Sequence, residues 1–306
     1  MKYCYTPRHF SASNEKTIRT ANKIIETYMA DGLKLTLRQL YYQFVARHGL
    51  ANTVQSYKRL ASVVSDARLA GRVDWDAIED RGRVAQEWRH YEGIPELIES
   101  AVRTYRLDRW RGQEIYVELW VEKQALAGVL EPIAMKWHAP LMVNKGYSSS
   151  SAMYEAARRI ASRLTDGGDG AHAYTATVIY VGDHDPSGED MVRDIQSRLI
   201  LFSCEAPIDV IKLALTMPQV EQYRPPPNPA KRTDARFRAY AAKHGNESWE
   251  VDALEPRLLT SMIEAQFARL VDVEKMDQVR QWEREDKEEL RKVVAKKFKT
   301  KERSFR

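Results

Sequence analysis

Two apolar runs constrain this chain more than anything else in it. Ala176-Thr177-Val178-Ile179-Tyr180-Val181 reads as a buried strand, and Ile115-Tyr116-Val117-Glu118-Leu119-Trp120-Val121 reads as an earlier one. Each is followed at once by acid: Glu122 after the first in chain order, and Gly182-Asp183-His184-Asp185-Pro186-Ser187-Gly188 after the second. Carboxylates at the mouth of a strand, with a Pro and a Gly to turn the chain, are hard-oxygen ligands suited to a divalent cation. Glu122, Asp183 and Asp185 on neighbouring strand ends form a candidate magnesium site.

The texture around these runs is α/β. Predicted strands over 114–121, 141–143, 175–181 and 208–213 alternate with predicted helices over 124–137, 150–164 and 189–201, the pattern of a parallel sheet covered by helices. The chain upstream is different. Helical spacing of Ile18, Ala21, Ile24, Ile25 and Tyr28 predicts one helix, stopped by Asp31-Gly32. Thr36 with Gln39 three residues on has the form of a capping box and opens a second helix, ended by Gly49. A third covers about 53–69, and the turn-rich stretches 71–75 and 80–83 follow it. Three short helices and a basic, Gly-punctuated ribbon outline a winged helix-turn-helix, with a plain helical bundle as the competing reading. The expected organisation is an N-terminal helical domain with linker over 1–110. A sheet domain with a C-terminal helical extension then runs over 111–306.

Composition narrows the setting. The chain has 306 residues, enough for about two cored domains. No apolar run approaches the length of a membrane span, and the first residues lack a signal-peptide core, so a cytoplasmic, nucleoid-associated protein is expected. Cys4 and Cys204 are far apart and in no metal-ligand spacing. A net charge of +5, from 48 basic and 43 acidic residues, favours a polyanionic partner without proving one. The basic C-terminal run, with Arg291, Lys292, Lys296, Lys297, Lys299, Lys301, Arg303 and Arg306, reads as a solvated tail open to non-specific phosphate contacts.

Several side chains carry possible chemistry. Tyr41 and Tyr42 are adjacent on the second helix, where neighbours diverge by about 100°. Leu37, Leu40, Tyr41, Phe44 and Val45 form the apolar stripe, which leaves Tyr42 on the opposite, exposed face with Arg38 one turn before it. A phenol beside a guanidinium is a plausible nucleophile, because the cation favours phenolate; the competing reading is an ordinary surface Tyr. Glu118 and Glu122 share a strand face roughly 13 Å apart, and Glu122, at the strand's C-terminal end, is the better ligand; Glu118 reads as structural or a distal helper. For Asp183 and Asp185 the competing reading is a capped turn, with Asp185 or Ser187 as N-cap of the next helix. Strand alternation turns His184 away from the ligand side. Lys58, Arg59 and Arg68, outward on the third helix, and Lys145, near a strand end, are candidate DNA contacts. Lys123 is a further candidate for phosphate, and for Lys123 and Lys145 the competing reading is a solvated surface Lys.

These residues together resemble a known family. Val121-Glu122-Lys123, Asn144-Lys145-Gly146-Tyr147 and Gly182–Gly188 are similar to the toprim domain of topoisomerase VI A subunits and the related meiotic double-strand-break proteins. Residues 36–42 resemble the family's catalytic-tyrosine motif, and Glu250-Val251-Asp252-Ala253-Leu254-Glu255-Pro256 resembles a stretch carried late in those chains. The matches occur in family order and span most of the sequence. The resemblance implies a winged-helix domain and a toprim domain, with Tyr42 as nucleophile, Arg38 as its helper, and Glu122, Asp183 and Asp185 as magnesium ligands. It implies transesterification on duplex DNA through a 5′-phosphotyrosyl link, by a homodimer in which the tyrosine of one subunit works against the metal of its partner. A separate ATPase B-type subunit is a possible partner. The chain departs from the family in its short length and in residues 72–83. Two other expectations stand beside this one: a toprim nuclease in which metal-activated water replaces Tyr42, and a non-catalytic DNA-binding or recombination scaffold.

Overall fold

The computed structural model of the chain describes residues 2–78, 90–164 and 173–297, with side chains to 293. The expected turn at 80–83, and the basic tail beyond 293 as a set of side chains, lie outside the described residues. The chain begins with α1 (Ala12–Ala30), α2 (Leu37–His48), α3 (Val54–Leu69) and α4 (Ile94–Thr104). It continues through β1 (Ile115–Val121), α5 (Ala127–Trp137), β2 (Leu141–Val143), α6 (Ser150–Leu164), β3 (Thr175–Val181), α7 (Pro186–Phe202) and β4 (Ile208–Ala214). The remainder is α8 (Met217–Tyr223), β5 (Asn228–Pro229), α9 (Phe237–His244), β6 (Glu247–Ser248), α10 (Pro256–Leu270) and α11 (Val273–Lys297). Among the described residues this is an α/β protein with eleven α-helices, and no helix is long and apolar enough to cross a membrane.

Local chemistry explains the early helices. The Thr36 hydroxyl accepts from Gln39 N and the Gln39 side chain accepts from Thr36 N, so the predicted capping box opens α2. Gly49, left-handed at φ 66°, closes it. Ile18, Ile24, Ile25 and Tyr28 of α1 pack with Leu40 and Phe44 of α2 and Leu60, Val63 and Val64 of α3. After α3 the described chain makes a 3₁₀ turn, Trp75–Ala77, and an isolated bridge from Leu35 to Ile78.

The four strands β1 to β4 form one parallel sheet in the order β2-β1-β3-β4. β1 and β3 occupy its centre, and residues 116–121 and 176–181 are buried, which is why both runs are apolar on both faces. α5 and α10 pack on each other, as do α6 and α7, so helices cover the sheet. The chain leaves β1 toward β2 on one side and returns to place β3 on the other. The crevice between the C-terminal ends of β1 and β3 is therefore a topological switch point, where open parallel sheets hold ligands.

A second, short sheet pairs β5 with β6 and leads into a 3₁₀ turn, Val251–Ala253. That turn plugs into the helical module: Ala253 belongs to the same buried cluster as Leu40, Tyr41 and Tyr42. Around it, Tyr28 donates to Glu255 Oε1 at 2.9 Å, Arg257 pairs with Asp31, and Asn52 donates to Asn228 Oδ1 at 2.8 Å.

Gly188, in the first turn of α7, packs directly on the backbone of the D-x-D loop, and a Cβ there would collide with the Asp183 carbonyl oxygen. Gly188→Ala is expected to lower unfolding free energy by about 3 kcal/mol, since neither partner is a flexible side-chain end. Urea denaturation followed by circular dichroism measures it; an unchanged midpoint would show that the loop yields.

Candidate functional site

The strand ends carry the acids. Glu122 follows β1, and its Oε2 accepts from Asp183 N at 3.0 Å and from the Tyr180 hydroxyl at 3.3 Å. Gly182 lets this happen, because a Cβ at that position would come 2.7 Å from Glu122 Oε2 and 2.6 Å from the Tyr180 hydroxyl. Asp183 is buried; its Oδ1 accepts from Val251 N at 2.9 Å and its Oδ2 lies 2.8 Å from Lys123 Nζ. Asp185 is the N-cap of α7, with Oδ1 accepting from Gly188 N at 2.6 Å and from Ser187 Oγ at 3.0 Å. The capped-turn reading thus describes Asp185, while Glu122 and Asp183 adjoin.

His184 does face away from the acids. Its ring stacks on Trp249 and its Nδ1 lies 2.7 Å from Glu189 Oε1, while its backbone exchanges two hydrogen bonds with Trp249. This pairing delivers two acids that the spacing argument passed over. Glu250, the extended residue before the Val251–Ala253 turn, and Asp252, within that turn, join Asp183 around one ammonium. Lys123 Nζ lies 2.9 Å from Glu250 Oε2 and 3.4 Å from Asp252 Oδ2. Their signal in the sequence was the E-x-D spacing after Trp249; Asn228, which also reaches Glu250, had none.

Tyr42 corrects the sequence reading. Its ring is 2 % exposed, not on a solvated face, because α2 is covered on both sides: by α1 and α3 on one and by the Val251–Ala253 turn on the other. Gln39 and Gln43 are buried with it. Arg38 is at 3.5 Å from the Tyr42 hydroxyl through Nη2, as helical spacing anticipated, but its guanidinium is spent on Glu250, with Nη2 at 2.5 and 2.7 Å and Nε at 3.1 Å from the carboxylate oxygens. Burial, reinforced by Glu250, pushes the Tyr42 phenol up to about 12 rather than down, although Asn228 and Arg38 pull the other way.

The cluster is short of positive charge. Burial raises Asp183 and Asp252, and Lys123 only partly offsets it. Burial also works against Glu250, yet Lys123 and Arg38 outweigh it and hold that carboxyl below the usual range. Lys123 and Arg38 are in turn held firmly charged by their acids despite desolvation. Glu250 carries the anion that the two cations balance, and Asp183 and Asp252 are driven toward protonation. Asp252 Oδ1 is buried without a hydrogen-bond donor, and Oδ2 has the 3.4 Å approach of Lys123 Nζ.

As packed, these residues do not make an ion cage. Asp185 is committed to the helix cap, the Lys123 ammonium fills the space among Asp183, Glu250 and Asp252, and among the described residues no three His, Cys, Asp or Glu side chains are placed to hold a metal ion.

The other sequence candidates are dispersed. Glu118 is buried and fully occupied by Arg159 at 2.8 Å through two nitrogens, by Trp120 Nε1 and by the Tyr116 hydroxyl, so it is structural. Arg68 donates to the Trp75 and Ile78 carbonyls and stacks on Trp75, which removes it from the surface role expected of it. Lys58 and Arg59 are exposed on α3, and Lys145 is exposed where its backbone N donates to Glu122 O. No protein-family model matches the chain, and no curated protein matches it.

Crowded acid has a signature in pH. Asp252 holds its proton to higher pH when folded than the ~3.9 of an unfolded Asp, so its contribution is present below about pH 4 and lost as pH rises through the raised value. Asp252→Asn is expected to flatten the decline of stability between pH 4 and neutrality. Thermal melts of both proteins across that range test it, and parallel profiles would refute it.

Proposed function

We propose that the chain cleaves duplex DNA by tyrosine transesterification, with a winged-helix-type helical module and a toprim-type sheet module acting together. One observation carries the reading: Tyr42 and Arg38, on a helix of the front module, abut the acids gathered at the β1/β3 switch point, joined to them through Glu250. The sheet order and the acids at its central strand ends support the toprim assignment, and the three packed helices support the winged-helix one.

In the proposed reaction a scissile phosphate binds Arg38. The Tyr42 oxygen attacks phosphorus, a phenolate O–P bond forms and the P–O3′ bond breaks. The phenolic proton leaves, the departing 3′ oxygen takes one up, and the 5′ phosphate stays on Tyr42. The guanidinium and the Lys123 ammonium offset charge that builds on the non-bridging oxygens. Magnesium, where bound, would meet hard-oxygen ligands in the strand-end carboxylates Glu122 and Asp183. The resemblance implies a tyrosine working in trans within a homodimer; in the single chain Tyr42 faces its own chain's acids, and two copies are proposed for cutting both strands. An ATPase partner belongs to resealing rather than to this step.

Supercoiled plasmid incubated with protein, with magnesium or with EDTA, and then denatured with or without protease separates the readings. Protein-linked 5′ ends are expected with wild type and magnesium, and a loss of at least 100-fold is expected in Tyr42→Phe, since no other nucleophile replaces the phenol. Free ends that survive Tyr42→Phe but vanish in Asp183→Ala would select the hydrolytic nuclease. Salt-dependent binding with no breakage would select the scaffold.

A further inference from the structure

The Glu250 carboxylate sits in a ring of donors. Arg38 grips it through three contacts of 2.5 to 3.1 Å, Lys123 Nζ approaches to 2.9 Å, and Asn228 Nδ2 to 3.4 Å, with the Tyr42 hydroxyl beside Arg38. Two cations, an amide and a phenol converging on a singly charged group with two oxygens make a site for an oxyanion. A phosphodiester presents the same charge and two non-bridging oxygens, and a planar guanidinium recognises either group bidentately. We propose that Glu250 is a built-in occupant of the scissile-phosphate site, and that DNA binds by displacing its side chain from Arg38, Lys123 and Asn228.

Charge makes displacement necessary. Asp183, Glu250 and Asp252 already surround Lys123, and Glu250 and Asp252 also face Arg38, so a phosphate added to the full set meets a surplus of anion. Asp183 is buried and held by the Val251 N–H, and Asp252 is fully buried, whereas the Glu250 side chain is 21 % exposed and is gripped only through its carboxylate. Its backbone is held independently, by the Trp249–His184 pairing on one side and the Val251 N bond to Asp183 on the other. Glu250 therefore leaves by rotation of its own side chain, with no refolding of the segment. Arg38 and Lys123 are 45 % and 23 % exposed at the side chain, so the vacated site opens to solvent. The same exchange removes the carboxylate that helps keep Tyr42 protonated and leaves the guanidinium free to favour phenolate. Lys123 and Asn228 thereby become phosphate-binding residues alongside Arg38.

This inference rests on the transesterase reading, and the two fail separately. Binding is measured by fluorescence anisotropy with a labelled 20-base-pair duplex at fixed low salt in EDTA, where chemistry is suppressed. Glu250→Gln is expected to bind about tenfold more tightly than wild type, because the competing anion is gone. Glu247→Gln removes an equal charge from an exposed position outside the ring and is expected to change affinity less than twofold. Asn228→Asp keeps the acceptor used by Asn52 but adds a second carboxylate to the ring, and is expected to weaken binding several-fold. Equal gains in Glu250→Gln and Glu247→Gln, or wild-type affinity in Glu250→Gln, would overturn the proposal; should Glu250→Gln fail to fold, unchanged affinity in Asn228→Asp does so. Tighter binding by Glu250→Gln with no protein-linked ends from wild type would leave the phosphate site standing and remove the transesterase.

Discussion

The backbone exchange between His184 and Trp249 is the contact on which the rest of the arrangement depends. It ties the loop after β3 to the segment before the Val251–Ala253 turn, with N–O distances of 2.8 and 2.9 Å. Because successive residues of an extended segment point to opposite sides, fixing Trp249 against His184 sends Glu250 toward Lys123 and Arg38. The Val251 N bond to Asp183 then holds the register. One pairing thereby brings Glu250 and Asp252 to Asp183, which lies 67 positions before Glu250 along the chain.

The electrostatics follow from that junction. Three carboxylates delivered by two separate segments share two cations, and burial prevents water from making up the difference. The result is a graded cluster. Glu250, nearest both cations and partly open to solvent, keeps its charge, whereas Asp183 and Asp252 are pushed toward the neutral form. A group that carries charge, touches the guanidinium and is free to turn is the natural member to exchange with an incoming anion. The switch-point location gives that exchange a crevice in which to occur.

The elements were far more legible in the sequence than their meeting. β1 and β3 were evident because burial on both faces demands unbroken apolar runs, and α2 because a capping box and a Gly stop are local chemistry written in adjacent residues. Arg38 beside Tyr42 was evident for the same reason, being one helical turn. The surroundings of Tyr42 were not. Its helix face carries Gln39 and Gln43, which read as solvated, and what covers it arrives from residues more than 200 positions later. Helical periodicity reports polarity, and a polar face packed on another polar surface looks identical to one facing water. Asp185 shows the opposite limit: D-x-D spacing is shared by metal ligands and helix caps, and only the position of Gly188 N distinguishes them here. Arg68 was read as outward, yet Trp75 folds back over it.

The nature of the junction bears on the burial of Tyr42. A small apolar plug, Ala253, is surrounded by polar contacts: Tyr28 with Glu255, Arg257 with Asp31, Asn52 with Asn228, and Arg38 with Glu250. Interfaces of this composition between parts of one chain separate more readily than apolar ones, because each hydrogen bond broken is replaced by one to water. Tyr42 contributes its ring to the front module's own cluster, so separation leaves it anchored by Tyr41 and Leu40 while its hydroxyl side is uncovered. The seam, and not the helical module alone, therefore covers the hydroxyl side of Tyr42.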